Sequence, residues 1–355
     1  MDSGLENIIA AETVLSDVDG KAGRLVIRGW PVEKLTAELG YEETLALLWD
    51  GFLDCPGDAG SVRRALGEAR RAAFSHVGTF GPAVGVVSYL RTGWSLIADD
   101  ESLETALALP AAAAVFTAAA IRELQGLEPV APDASLGQAE DFLRMMRGRP
   151  APATDVKAFS AYLVTVSDHG LNASTFASRV IASTRAGLTS AALGGLSALK
   201  GPLHGGAPGP VLDMLDAIGA PEKAEEWIEA ALARKERLMG FGHRVYRVRD
   251  PRADALKAAV AQLPGTAGRI NFAEHIESAV LKSLAVKYPE RSLETNVEFY
   301  TAVLLEALDI PREAFTAIFA MGRILGWIAH ACEQIEEGRL VRPKSVYTGP
   351  VPQIA

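Results

Sequence analysis

His204 lies in GPLHGGA, residues 201–207, between Pro202 and two consecutive glycines and just ahead of a helix-like run at 211–219. Glycines flanking a titratable ring let backbone approach a bound group closely, or supply a turn with positive φ. Alone, the pattern reads more simply as a tight helix entry with a surface histidine. His169 opens a second constellation at 168–180, where Asn172, Ser174 and Thr175 are small polar side chains able to position a ring nitrogen. Asn-Ala-Ser-Thr is also a sound helix start. His243 follows the Gly-Phe-Gly turn of Gly240 to Gly242 and precedes Arg244, Arg247, Arg249 and Arg252, four arginines within nine residues. In a chain of formal net charge -9, such a run points to an anionic ligand as readily as to a solvated basic loop. Asp250 as N-cap with Pro251 at the first helical position puts Arg252 in a first turn, where free N–H groups and the helix dipole also favour an anion. Arg323 sits inside residues 314–332, apolar on nearly every face, and once buried it must meet a carboxylate or another anion. Arg342 begins RPKSVYTGP at 342–350, whose Pro343 and Gly349 predict an ordered, non-helical arm.

Histidines beside glycines suit hydrogen-bond donation to a carbonyl that becomes an enolate or alkoxide, and several arginines suit a di- or tricarboxylate. Such chemistry also needs a carboxylate base. Glu298, at the start of the helix-like stretch 294–308, can supply it. The same carboxylate has a structural alternative, since Thr295-x-x-Glu298 is a capping box.

Positioning these groups falls mainly to helices. Residues 34–52, 59–74 and 221–239 mix apolar and charged positions at helical spacing. Residues 13–30 hold two apolar runs around Asp19-Gly20 and predict a small N-terminal hairpin. Glycine and proline predict loops at 126–132, 148–152 and 264–268. At 355 residues the chain exceeds the size of one growing core, so two lobes are expected, with no repeat or low-complexity linker between them. A content of 49% hydrophobic and 22% charged residues is that of an ordinary globular protein, and the net negative charge argues against a broad nucleic-acid or anionic-membrane surface. Cys55 and Cys332 make neither a metal spacing nor a disulfide framework, which suits a reducing cytoplasm, and the opening residues hold no secretory pattern. Residues 107–121 are short, alanine-rich and contain Pro110, so they read as a buried helix. Residues 314–332 are long enough to span a membrane yet carry Arg323 and His330.

GPLHGGA, MGFGHRVYRVRDPRA at 239–253, NVEFYTAVL at 296–304 and RPKSVYTG at 342–349, in this order, resemble the citrate synthase family. The likeness runs along nearly the whole chain: residues 4–35 are similar to the opening of bacterial members and residues 315–334 to their last long helix. It implies a mostly α homodimer with a large helical domain (1–205 and 311–355), a smaller helical domain (206–310) that closes over the substrates, and a small N-terminal β-hairpin. It implies a cytoplasmic acyltransferase of the tricarboxylic acid cycle that makes citrate and CoA from acetyl-CoA, oxaloacetate and water. Acetyl-CoA is there a substrate, and neither a metal nor a redox cofactor is implied. No nucleic acid or membrane is implied as a partner.

By position, His204 would donate a hydrogen bond to the thioester carbonyl, with a helix N-terminus favouring its neutral form. His243 would polarise the keto carbonyl of oxaloacetate, and Glu298 would take the proton. His169, Arg252 and Arg323 would hold the oxaloacetate carboxylates, joined by Arg342 from the partner subunit. Arg247, Gly240 and Gly242 would lie at the coenzyme. Two departures stand out: Glu298 occupies the place of the family aspartate in Asn-Val-Asp-Phe-Tyr, and Pro208-Gly209 follow His204-Gly205-Gly206-Ala207 where asparagine is usual. Related readings are a 2-methylcitrate synthase using propionyl-CoA and a noncatalytic paralogue that binds a tricarboxylate or CoA.

Overall fold

The computed structural model describes residues 4–5, 8–205 and 208–350, and of Pro208 and Glu337 the backbone only. Gly206 and Ala207, which end the GPLHGGA motif at the expected start of the smaller domain, lie outside the described residues. Strands β1 (Ser16–Asp19), β2 (Arg24–Ile27) and β3 (Trp30–Pro31) form an antiparallel sheet in that order, with Ser16 opposite Ile27 and Ile27 opposite Trp30. The expected hairpin is thus present, extended by a third short strand. Fifteen α-helices follow among the described residues. They are α1 (Val32–Glu38), α2 (Tyr41–Trp49), α3 (Ala59–Phe74), α4 (Val86–Trp94), α5 (Leu103–Leu124), α6 (Gln138–Arg147), α7 (Ala153–Thr165) and α8 (Ala173–Ala182). Then come α9 (Leu188–Leu199), α10 (Pro208–Ile218), α11 (Ala224–Ala233), α12 (Pro251–Val260), α13 (Ala267–Lys287), α14 (Val297–Ala307) and α15 (Phe315–Glu337).

Three helical expectations need correction. Residues 34–52 break into α1 and α2 because Leu39 turns extended, and Glu43 Oε2 accepts the Gly40 N–H at 2.9 Å to start the second helix. Residues 221–239 stop being helical at Ala233. There Lys235 adopts a left-handed φ of 61°, while the N–H groups of Glu236 and Lys235 return to the carbonyls of Ala231 and Leu232. This is a Schellman ending with lysine in the place that glycine usually takes. Gly268, expected in a loop, lies in the first turn of α13.

Helix α15 runs through the core against α2, α5, α7, α8 and α9. Trp327, Leu325, Ile324 and Met321 are fully buried, and each such side chain contributes about 1.5–3 kcal/mol. Both membrane-length apolar helices, α5 and α15, spend that apolar surface inside the fold. A Cβ at Gly326 would collide with the Ser167 carbonyl oxygen, so this glycine lets the chain after α7 lie directly on α15. That approach carries Asp168 and His169 to the neighbourhood of Arg323. The hairpin turn packs on the loop after His243, where the Arg247 N–H donates to the Gly20 carbonyl at 2.8 Å.

Candidate active site

His169 ends the segment that Gly326 admits. It is buried, its Nε2 lies 3.1 Å from the Tyr246 hydroxyl, and its ring centre lies 5.7 Å from that of His243. Burial holds its pKa well below the usual histidine value, and Arg252, His243, Arg323 and His204 push the same way. His243 accepts the backbone N–H groups of Val245 and Tyr246 on Nδ1, at 3.0 and 3.1 Å. A neutral ring so engaged carries its proton on Nε2, which is then a donor. Burial, followed by Arg252, depresses His243 to about 4.

His204 lies in the turn between α9 and α10, with Nε2 at 2.9 Å from Ser174 Oγ. The same oxygen lies 2.8 Å from Asn172 Oδ1 and 3.2 Å from Trp327 Nε1. Asn172 caps α8 by accepting the N–H groups of Ser174 and Thr175. The helix start and the positioning of a ring nitrogen are therefore one device. His204 is depressed to about 4 by burial first, then by Arg323 and Arg252.

Asp250 caps α12 as its sequence predicts, but the anion drawn to Arg252 is this same carboxylate. Arg252 Nε and Nη2 donate to Asp250 at 3.0 and 2.7 Å, and the Val297 N–H reaches Asp250 Oδ2 at 3.2 Å. One buried carboxylate thus pins the starts of α12 and α14 together. Arg249 likewise pairs inside the chain, with Asp254 and Glu277. Glu298 falls in the first turn of α14. The cap there is Asn296, which accepts the Glu298 N–H at 3.0 Å, while Thr295 donates to Glu277 at 2.6 Å. The capping box is therefore not formed, and the Glu298 carboxylate accepts no hydrogen bond from the described residues. Burial raises it to about 7 against the pull of Arg252 and Arg323.

Arg323, expected to meet a carboxylate, meets none at bonding distance. Its Nε donates to the Val166 carbonyl at 2.6 Å, and its Nη2 is buried without a hydrogen-bond partner. Burial lowers its pKa to about 10, with Asp168 opposing. Asp168 itself is held by Ser16 and His330, and His330 Nδ1 lies 3.1 Å from Arg179, which also pairs with Glu333.

Gly240 and Gly242 have φ of 87° and 81°, and a Cβ on Gly240 would sit 2.9 Å from that of Phe299. Gly242 N–H donates to the Glu294 carbonyl at 2.7 Å and Asn296 Nδ2 to the Gly242 carbonyl at 2.8 Å, which ties the His243 loop to the start of α14. Beyond His243 opens a cavity of about 680 Å³ whose lining includes Lys235, Arg237, Arg244, Arg247 and Arg291. Arg342 is exposed on a non-helical arm, with no hydrogen bond or ion pair to the described residues of its own chain. Among the described residues, no three His, Cys, Asp or Glu side chains cluster as metal ligands would.

Neutral donors, buried guanidinium groups and a high-pKa carboxyl thus share one interior, suited to moving a proton beside a bound anion. The family described as citrate synthase, C-terminal domain, matches residues 4–344. The chain belongs to the citrate synthase family. Citrate synthase from Haloferax volcanii is 37% identical over 98% of this chain and 95% of its own length. A 2-methylcitrate synthase of Mycobacterium tuberculosis is 36% identical over 98% of this chain and 90% of its own. The ternary complex of carboxymethyl coenzyme A and oxaloacetate with citrate synthase from Thermoplasma acidophilum superposes with a TM-score of 0.89 at 27% identity, covering 100% of this chain and 98% of that one. The mostly helical fold is that of the family.

Sequence reasoning missed Tyr246, the lining residues Lys235, Arg237 and Arg291, and the buried Tyr162. Tyr246 stands within the quoted motif, yet nothing in its type marks it as the partner of His169. Lys235 and Arg237 lie where a helix was expected and were hidden by it.

Proposed function

We propose that this family member is a citrate synthase in the strict sense: acetyl-CoA and oxaloacetate, with water, give citrate and free CoA. The observation that carries the reading is the buried, unpaired Nη2 of Arg323 beside neutral histidines and the high-pKa Glu298. Glu298 takes a proton from the acetyl methyl group while His204 donates to the thioester oxygen of the enol. The enol carbon attacks the keto carbon of oxaloacetate, whose oxygen receives the hydrogen bond of His243 Nε2. Water then cleaves the thioester and CoA leaves as the thiol.

His169, Arg252 and Arg323 hold the oxaloacetate carboxylates, and Arg342 reaches the site from a second copy of the chain. The exposure of Leu340, Val346 and Tyr347 on the same arm, at 59%, 68% and 72%, supports a partner covering it. Arg247, with Gly240 and Gly242 setting the loop, faces the coenzyme phosphates in the basic cavity. Residues 206–310 form the smaller domain, closing on 1–205 and 311–355. No cofactor is needed for these steps. The two free cysteines suit a cytoplasmic enzyme.

The test is thiol release from acetyl-, propionyl- and butyryl-CoA, each with and without oxaloacetate. Oxaloacetate-dependent release fastest with acetyl-CoA is expected. Preference for propionyl-CoA would make the chain a 2-methylcitrate synthase, and no release with any of the three would leave a noncatalytic binder.

A further inference from the structure

Tyr162, near the end of α7, is fully buried and stacks on Phe159 at 6.4 Å. Its hydroxyl has no hydrogen-bond partner and no exposed surface. Buried polar groups are nearly always paired, so an orphan inside a reactive site marks a bond made in another state of the molecule. Two further unpaired groups lie around it. One is Nη2 of Arg323, whose Nε donates to the carbonyl of Val166, four residues beyond Tyr162 on the same turn of chain. The other is the Glu298 carboxylate, in the first turn of α14, a helix that packs against α7. After burial, the charge of Glu298 acts most on the Tyr162 phenol, raising its pKa, with Arg323 opposing. The phenol therefore stays protonated and can only donate to an anion. Because no space adjoins its oxygen, the acceptor that reaches it is a neighbouring side chain that moves slightly rather than a substrate.

We propose that the Tyr162 hydroxyl donates a hydrogen bond to the Glu298 carboxylate when substrate draws the site together, and so fixes the orientation of the oxygen that takes the proton. Tyr162 is thus a positioning residue, and the inference rests on Glu298 as the base. The longer glutamate side chain needs this more than an aspartate would, having one more rotatable bond to fix. Groups facing Glu298 from the other elements are Arg252 and Asp250 at the start of α12, Arg323 on α15, and Arg237 after α11.

Tyr162→Phe removes the hydroxyl and keeps the ring. A hydrogen bond to a charged group is worth about 1.5–3 kcal/mol, so turnover should fall about tenfold to a hundredfold. The acid limb of the kcat profile, which reports the substrate complex, should move up by about one unit, since the anion loses a donor. KM for oxaloacetate should stay within about twofold. An unmoved limb overturns the proposal, whether turnover falls or not. A large rise in KM with the limb fixed would instead place the hydroxyl on the substrate. Should the phenylalanine variant fail to fold, a fluorinated tyrosine at position 162, a stronger donor of similar size, should move the limb downward. Carbon-13 titration of the Glu298 carboxyl in the oxaloacetate complex reads the bond without turnover, so loss of the base assignment would be told apart from loss of this contact.

Discussion

Replacing Glu298 with glutamine keeps the shape of the side chain and removes a charge that the fold disfavours. Burial raises the carboxyl from 4.5 to about 7, so the folded chain holds a proton there that the unfolded chain has already lost. Stability from this group is fully present below pH 4.5 and is lost as pH rises through about 7. A shift of about 2.5 units, at about 1.36 kcal/mol per unit, makes the wild type about 3 kcal/mol less stable above pH 7 than a chain with a neutral group there. With an unfolding entropy of about 2.1 cal/mol/K per residue, the 355-residue glutamine variant should melt about 4 °C higher at pH 8.5. Near pH 4.5 the difference should vanish. Scanning calorimetry at both pH values measures it, alongside thiol release, which should drop by about a hundredfold or more because an amide cannot take the proton. Equal melting temperatures at pH 8.5 would refute the raised pKa, and undiminished turnover would remove Glu298 as the base.

The remaining outcomes follow from the same geometry. Mixing an Arg342→Ala chain with an Arg252→Ala chain should restore part of the activity, because one site of the heterodimer keeps both arginines; no rescue with heterodimers formed would exclude a shared site. A nonreactive oxaloacetate analogue should tighten acetyl-CoA binding in calorimetric titration, and equal affinities with and without it would remove closure as the reason. Glu298→Asp draws the carboxylate back by one bond and should cost about a hundredfold in turnover, whereas a gain would mean a site not shaped around glutamate. In the free enzyme, kcat/KM should rise through about pH 7 with Glu298 and show no histidine limb above pH 5, since His204 and His243 titrate near 4.

The start of α12 was legible to the residue because it is written locally: Asp250 caps, Pro251 begins, and both act within a few residues. The same holds for Asn172 and α8. The end of α11 was not legible, because its left-handed residue is Lys235 where glycine would have announced it. Arg323 was legible as a buried charge, but its unpaired Nη2 depends on a neighbour 157 positions away, Val166, taking only its Nε. Glu298 shows the limit most clearly. Thr295 and Glu298 have the right types and spacing for a capping box, yet Asn296 takes the cap through a local bond to the Glu298 N–H, and Glu277 on α13 takes Thr295. The motif could nominate the carboxylate but not show it unpaired.

The electrostatics explain how neutral histidines and this carboxylate can share one interior. In the field of Arg252 and Arg323, His204 and His243, depressed to about 4, stay neutral wherever Glu298, raised to about 7, is ionised. A neutral ring donates one hydrogen bond and returns nothing to solution, which suits a carbonyl that gains charge only in the transition state. By occupying Arg252 on two of its nitrogens, Asp250 offsets that guanidinium's pull on Glu298, and the carboxyl keeps the proton affinity that the proposed proton abstraction needs.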